Sequence, residues 1–188
     1  MNNKTKTMVG IGLFTAIVAV LQFLGGSIRF GMFSISLVLV PIVVGAAVYG
    51  WKAGAWLGLM FGAAVLLSGD AAAFMVVDPL GTVLTVLVKG AACGMVAGLV
   101  YKLFERWNKV LAVFAAALVC PVVNTGVFLI GCCLFFLETV AEWGRGLGYD
   151  NVAAYMFLGL AGLNFLVEVA VNLVLAPVIV RLIKIGKK

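Results

Sequence analysis

Histidine is absent from the 188 residues. That removes the commonest metal ligand and the usual general base, and with it any Ser/His or Cys/His nucleophilic pair. Charge is scarce: Asp, Glu, Lys and Arg make up 11% of the chain, less than half of a soluble domain's usual share. Cysteine is sparse too. Cys93, Cys120, Cys132 and Cys133 all lie inside apolar runs, and no Cys-x-x-Cys pair occurs. Buried, inert thiols are expected rather than a zinc site or a redox motif. No Gly-x-x-x-x-Gly-Lys-Ser/Thr phosphate loop is present, so ATP hydrolysis through that motif is excluded. There is no long row of ionisable residues such as proton pumps need, and no inverted repeat such as self-sufficient secondary transporters carry. Neither catalysis nor a metal or other cofactor is expected.

What is present is apolar. Hydrophobic residues reach 65% and the mean hydropathy is +1.24. A soluble fold of this size has too little interior for so much apolar surface, so lipid must cover it. Crossing the hydrocarbon core takes about 20 apolar helical residues. The runs are Thr7 to Gly25, Ser34 to about Gly50, Ala53 to Ser68, Leu80 to Tyr101, Val110 to Leu137, and Met156 to Ile183. The first is too long for a signal peptide and lacks a cleavage pattern, so it is expected to stay as a helix. Pro41 lies inside the second run and predicts a kink there. The reading is one all-α integral membrane domain over 1–188, a bundle of six transmembrane helices.

The net charge of +6 raises the question of a nucleic-acid partner. The basic residues argue against it, because they stand at the ends of apolar runs rather than on one polar face. Lys4, Lys6, Lys52, Lys102, Arg106, Lys109, Arg181, Lys184, Lys187 and Lys188 fall on one side of the membrane, and only Arg29 and Arg145 on the other. The positive-inside rule makes the first side cytoplasmic, with both termini there. Asp70, Asp78, Glu138, Glu142 and Asp150 fall outside.

Small residues recur every fourth position. Gly50, Gly54, Gly58 and Gly62 form one stripe, and Gly90, Gly94 and Gly98 another. Such stripes let helices approach closely, either within the chain or against another membrane subunit. Gly12 with Ala16, and Thr15 with Ala19, make a further small-residue face on the first run.

Ionisable groups inside a membrane run are costly and point to function. Lys89 and Glu168 are the two here. At a rise of about 1.5 Å per residue, Lys89 lies roughly 13 Å below Leu80, and Asn124 about 20 Å below the outer end of its run. By the same rise, Asn164 and Glu168 lie about 12 and 18 Å below Met156. Asn164, Glu168 and Asn172 share one helix face by their four-residue spacing. These residues predict an outward-opening pocket between the fourth, fifth and sixth runs. Lys89 would meet an anionic or strongly accepting ligand group, and the Asn side chains would exchange hydrogen bonds with it. The alternative is a structural Lys89–Glu168 ion pair with bridging Asn side chains. Arg29 and Asp78, on outer loops, are placed to close over a ligand or simply to be solvated.

The segment Phe33-Ser34-Ile35-Ser36-Leu37-Val38-Leu39-Val40-Pro41-Ile42-Val43-Val44-Gly45-Ala46 is followed by Tyr49-Gly50-Trp51-Lys52-Ala53-Gly54-Ala55 and by Asp78-Pro79-Leu80-Gly81. With six spans in under 200 residues, this pattern resembles the substrate-binding S component of energy-coupling factor (ECF) vitamin transporters, of the riboflavin, folate and pantothenate group. The resemblance covers nearly the whole chain. It implies a multi-pass protein of the bacterial plasma membrane that captures a water-soluble vitamin from outside. It also implies partners, namely a membrane coupling subunit and two cytoplasmic ATPases, with toppling of the S component carrying the vitamin inward. The family docks through an alanine pair four apart on its first helix. The nearest matches here are Gly12 and Ala16, or Thr15 and Ala19, which depart from that pattern. Lys89 suits pantothenate or a folate better than a neutral ring, and riboflavin stays open. A second reading is a membrane scaffold or assembly subunit that packs through the glycine stripes.

Overall fold

The computed structural model describes residues 3–25, 29–30, 33–34 and 37–186. Apolar runs without access to water must satisfy their backbone bonds internally, and they do so as helices. In chain order these are α1 (Asn3–Gly25), a short hairpin of β1 (Arg29–Phe30) and β2 (Phe33–Ser34), α2 (Leu39–Tyr49), α3 (Trp51–Ser68) and α4 (Ala72–Met75). Then follow α5 (Pro79–Phe104), α6 (Lys109–Phe135), α7 (Leu137–Gly146), the single turn α8 (Val152–Ala154), a π-helical turn (Tyr155–Leu160) and α9 (Gly162–Gly186). Among the described residues five helices, α1, α3, α5, α6 and α9, are long and apolar enough to cross a membrane. The architecture is an all-α, multi-pass bundle.

The second apolar run departs from expectation. Its helix begins at Leu39 and has 11 residues, about 16 Å of length, which is well short of the hydrocarbon core. Pro41 does not kink it. Pro41 is the third residue of α2, in the first turn, where an N–H has no intrahelical acceptor to lose. Nearly all of α2 is buried, including Leu39, Ile42, Val43 and Val44. It is a core helix wrapped by its neighbours rather than a lipid-facing one.

The two glycine stripes meet each other. A Cβ placed on Gly54 would overlap the Gly94 carbonyl, and one on Gly58 the Gly90 carbonyl. A Cβ on Gly62 would stand 2.7 Å from the Val86 carbonyl oxygen. The numbers of these partners fall along one helix as they rise along the other, so α3 and α5 run antiparallel in backbone contact. The stripes are spent inside the chain, which removes them as the docking surface of a scaffold. Gly50 forms the corner between α2 and α3 with φ 91°, a left-handed conformation that favours glycine.

α1 lies at the rim, with 11% of its membrane-length window buried. It runs alongside α3, where the Trp56 indole N–H donates to Thr15 Oγ1 at 3.3 Å. Gly12 and Ala16 are exposed, and Ala19 is half-buried.

Candidate functional site

α5 enters the bundle through a capped start. The Asp78 side chain accepts from the Gly81 N–H at 3.1 Å, and Pro79 opens the helix. From there Thr82, Thr85 and Lys89 follow at intervals of three and four, so they occupy one face. That face borders a cavity of about 140 Å³. A single ordered water needs roughly 10–15 Å³ in the same measure, so the cavity has room for a small molecule.

Lys89, Asn124, Asn164 and Glu168 all line this cavity. The Lys89 ammonium lies 5.8 Å from the Phe61 ring centre and 5.2 Å from that of Phe128. Rings at this range attract a cation, by about 2 kcal/mol when desolvated. Among the described residues Lys89 forms no ion pair with Glu168. Glu168 instead accepts from Asn164 Nδ2 at 3.2 Å and, in a long contact, from Asn124 Nδ2 at 3.5 Å. The carboxylate is thus held by amides, and the ammonium by aromatic faces. The cavity wall also carries unpartnered hydrogen-bonding atoms, Asn124 Oδ1 and Thr85 Oγ1, both buried. Buried polar atoms of this kind cost free energy unless something pairs with them.

Two expected contacts fall elsewhere, and a third lies outside the described residues. Asn172 is not part of the cavity wall; it lies one turn beyond Glu168 on α9 and its Nδ2 donates to the Glu168 carbonyl oxygen at 2.8 Å. The four-residue spacing put it on the right face but too deep. Asp78 is also absent from the wall, because its carboxylate is engaged in capping α5. Asp78→Ala is expected to lower stability by about 1 kcal/mol, the usual value of an N-cap. Thermal melts should show that loss while ligand affinity stays within error of the parent. Arg29 contributes backbone to β1, and its side chain lies outside the described residues.

The walls extend beyond α5, α6 and α9. α3 supplies Phe61 and Val65, and α1 supplies Gln22. Gln22 is 3% exposed, and its amide donates to the Asp70 carboxylate and, at 3.4 Å, to Ser68 Oγ. It ties α1 to the segment that leads into α4. Above the cavity Phe74 of α4 makes edge contacts with Phe128, Phe136 and Trp143 at centroid distances of 5.6, 5.0 and 5.3 Å. Trp143 belongs to α7, so α4 covers the cavity through Phe74, with α7 packed behind that ring. On the far wall the π-turn carries Leu160, whose neighbour Ala161 donates to the Met156 carbonyl at 3.0 Å. That widened turn leads into α9, which carries Asn164. A lone glutamine in an apolar run was a readable signal for Gln22. The ring pair around Lys89 and the Phe74 roof had none, because they join residues distant in sequence.

Comparison with known proteins adds one finding. No curated protein and no solved structure matches the chain. The family described as "ECF transporter, substrate-specific component" matches residues 6–180. That match covers almost the whole chain, and a mostly apolar cavity with a few polar groups inside a multi-pass bundle is what such a component requires. The chain therefore belongs to the substrate-specific components of ECF transporters, non-catalytic transport proteins of the membrane.

Proposed function

We propose that the chain captures a water-soluble vitamin of the pantothenate, folate or riboflavin class in this cavity and delivers it for ATP-driven uptake. The observation that carries the reading is the Lys89 ammonium, facing two rings on a cavity wall, with Glu168 near enough to act on it electrostatically but in no direct ion pair with it. A cation kept that way inside a membrane bundle is suited to an anionic or strongly accepting ligand group. Asn124 Oδ1 and Thr85 Oγ1 then meet the ligand's hydrogen-bonding groups, and Phe61, Phe74 and Phe128 supply apolar contact. Pantothenate and folates carry a carboxylate and suit Lys89 better than riboflavin. Asn172 acts at one remove, through the Glu168 backbone.

In this reading residues 1–188 form one binding domain with six crossings; α2, too short to span alone, is the helical part of the second crossing and, being buried in protein, needs no full-length helix. Both termini are cytoplasmic, and the cavity under α4 opens outside, in keeping with the distribution of Lys and Arg. A membrane coupling subunit and two ATPases supply the energy. Gly12 and Ala16 are the better docking pair, because both are exposed, whereas Thr15 and Ala19 turn toward α3.

A thermal-shift series on detergent-purified protein tests the function directly. A ligand at 100 times its Kd stabilises by about 2.7 kcal/mol. One of pantothenate, folate and riboflavin is expected to raise the melting temperature at micromolar concentration. If none of them does so at millimolar concentration, the vitamin reading is wrong.

A further inference from the structure

A second cavity, of about 180 Å³, lies at the opposite end of the bundle from the first. Its walls are Tyr101 of α5, Lys109 and Val113 of α6, and Val180, Ile183 and Lys184 of α9. The floor is apolar and deep: Val113 is buried, as are Ile183 and the body of Tyr101. The rim is cationic, because Lys109 and Lys184 are exposed and come from different helices. Neither forms an ion pair among the described residues. The α6 amides do not help an anion here, since Asn108 Oδ1 already accepts from Val110 and Leu111. Two lysines facing one slot repel each other, so the arrangement favours an anion between them. The ends of α5, α6 and α9 carry Lys102, Arg106, Lys109, Arg181 and Lys184 against one described acid, Glu105.

We propose that this slot binds the phosphate-bearing head group of an anionic membrane lipid. Lys109 and Lys184 contact the phosphate, and Val113, Val180 and Ile183 receive the first carbons beyond it. A free phosphate has the same charge chemistry but no use for the apolar floor. The surroundings also suit a lipid. Leu103, Val110, Leu111 and Leu182 are exposed beside the slot in sequence, so an acyl chain leaving it continues along apolar surface. Basic pockets between membrane helices at the head-group level have this composition. The inference is independent of which vitamin the first cavity holds.

The test uses the full chain in a neutral detergent, with melting temperature as the readout. Dioctanoyl phosphatidylglycerol is expected to stabilise it with half-effect at a concentration about thirtyfold below that of dioctanoyl phosphatidylcholine, from two lysines at the head-group level. The double variant Lys109→Gln/Lys184→Gln should bring the two lipids together. Lys109→Arg/Lys184→Arg should keep them apart, and so should Lys4→Gln/Lys6→Gln, which removes equal charge from α1. Equal response to both lipids in the parent overturns the site, as does a preference that survives the double Gln variant. Loss of preference in the α1 variant overturns it in favour of diffuse charge. Inorganic phosphate acting as well as the glycerol lipid overturns the lipid as ligand.

Discussion

Lys89→Met is expected to weaken ligand binding by about a hundredfold or more while leaving the empty protein at least as stable as the parent. The two halves of that expectation have separate causes. In the bound state a charge-assisted contact inside a dry cavity is lost, and the ligand's anionic group is left buried without a partner. Truncating one side of such a pair costs about 3 kcal/mol, a factor of roughly 150 in Kd. In the empty state the substitution removes an ammonium that has no Glu168 ion pair and is held by the Phe61 and Phe128 rings. Methionine keeps most of the volume and contacts the same rings through sulfur. Isothermal titration with the vitamin found by thermal shift measures the first half, and a melt without ligand the second. A large drop in the ligand-free melting temperature with unchanged affinity would show instead that Lys89 is structural.

Gly58→Ala is expected to be the most destabilising single substitution of the smallest size. One methyl group is added, yet it has no room, because a Cβ at Gly58 would overlap the Gly90 carbonyl. Backbone cannot swing aside as a side chain can, so α3 and α5 must separate along the whole stripe. Overpacking commonly costs 1–3 kcal/mol, and here about 3 kcal/mol or more is expected because the obstacle is main chain. Gly12→Ala is the control: nothing lies within 4 Å of a Cβ at Gly12, and alanine is the better helix former. Urea-resistance or thermal melts of the two variants in the same detergent should fall on opposite sides of the parent. Similar melting for Gly58→Ala and the parent would mean that the two helices do not meet there.

Much of this was legible in the residues alone, where the signal is local or periodic. The ends of the long helices follow hydropathy closely: the first apolar run stops at Gly25 and the third at Ser68, as do α1 and α3. Depth arithmetic also worked where a polar residue sits well inside a helix. Lys89, Asn124, Asn164 and Glu168 come to one cavity because four residues at similar depth on inward faces have little other space. It failed at Asn172, since the spacing that shares a face continues past the cavity floor. It missed Thr82 and Thr85, whose small hydroxyls leave a run apolar on any hydropathy scale. The second run read as a full span because hydropathy cannot separate lipid from protein interior. Both reward apolar side chains, and α2 is covered by its neighbours.

The amino-acid order by itself determined that this chain is a membrane bundle. It also set where most helices lie, which stripes allow close packing, and that two ionisable groups sit within the apolar runs. Those properties depend on transfer of side chains from water and on helical period, and each is local. Tertiary structure alone decided how the ionisable groups are used. It set Lys89 between rings from α3 and α6, and bound Glu168 to amides from α6 and α9. It spent the glycine stripes on each other and left one face of α1 open. The reason is distance along the chain. A cation's nearest neutraliser or ring is a matter of which helices pack side by side, and hydropathy and helical period carry no information about that pairing.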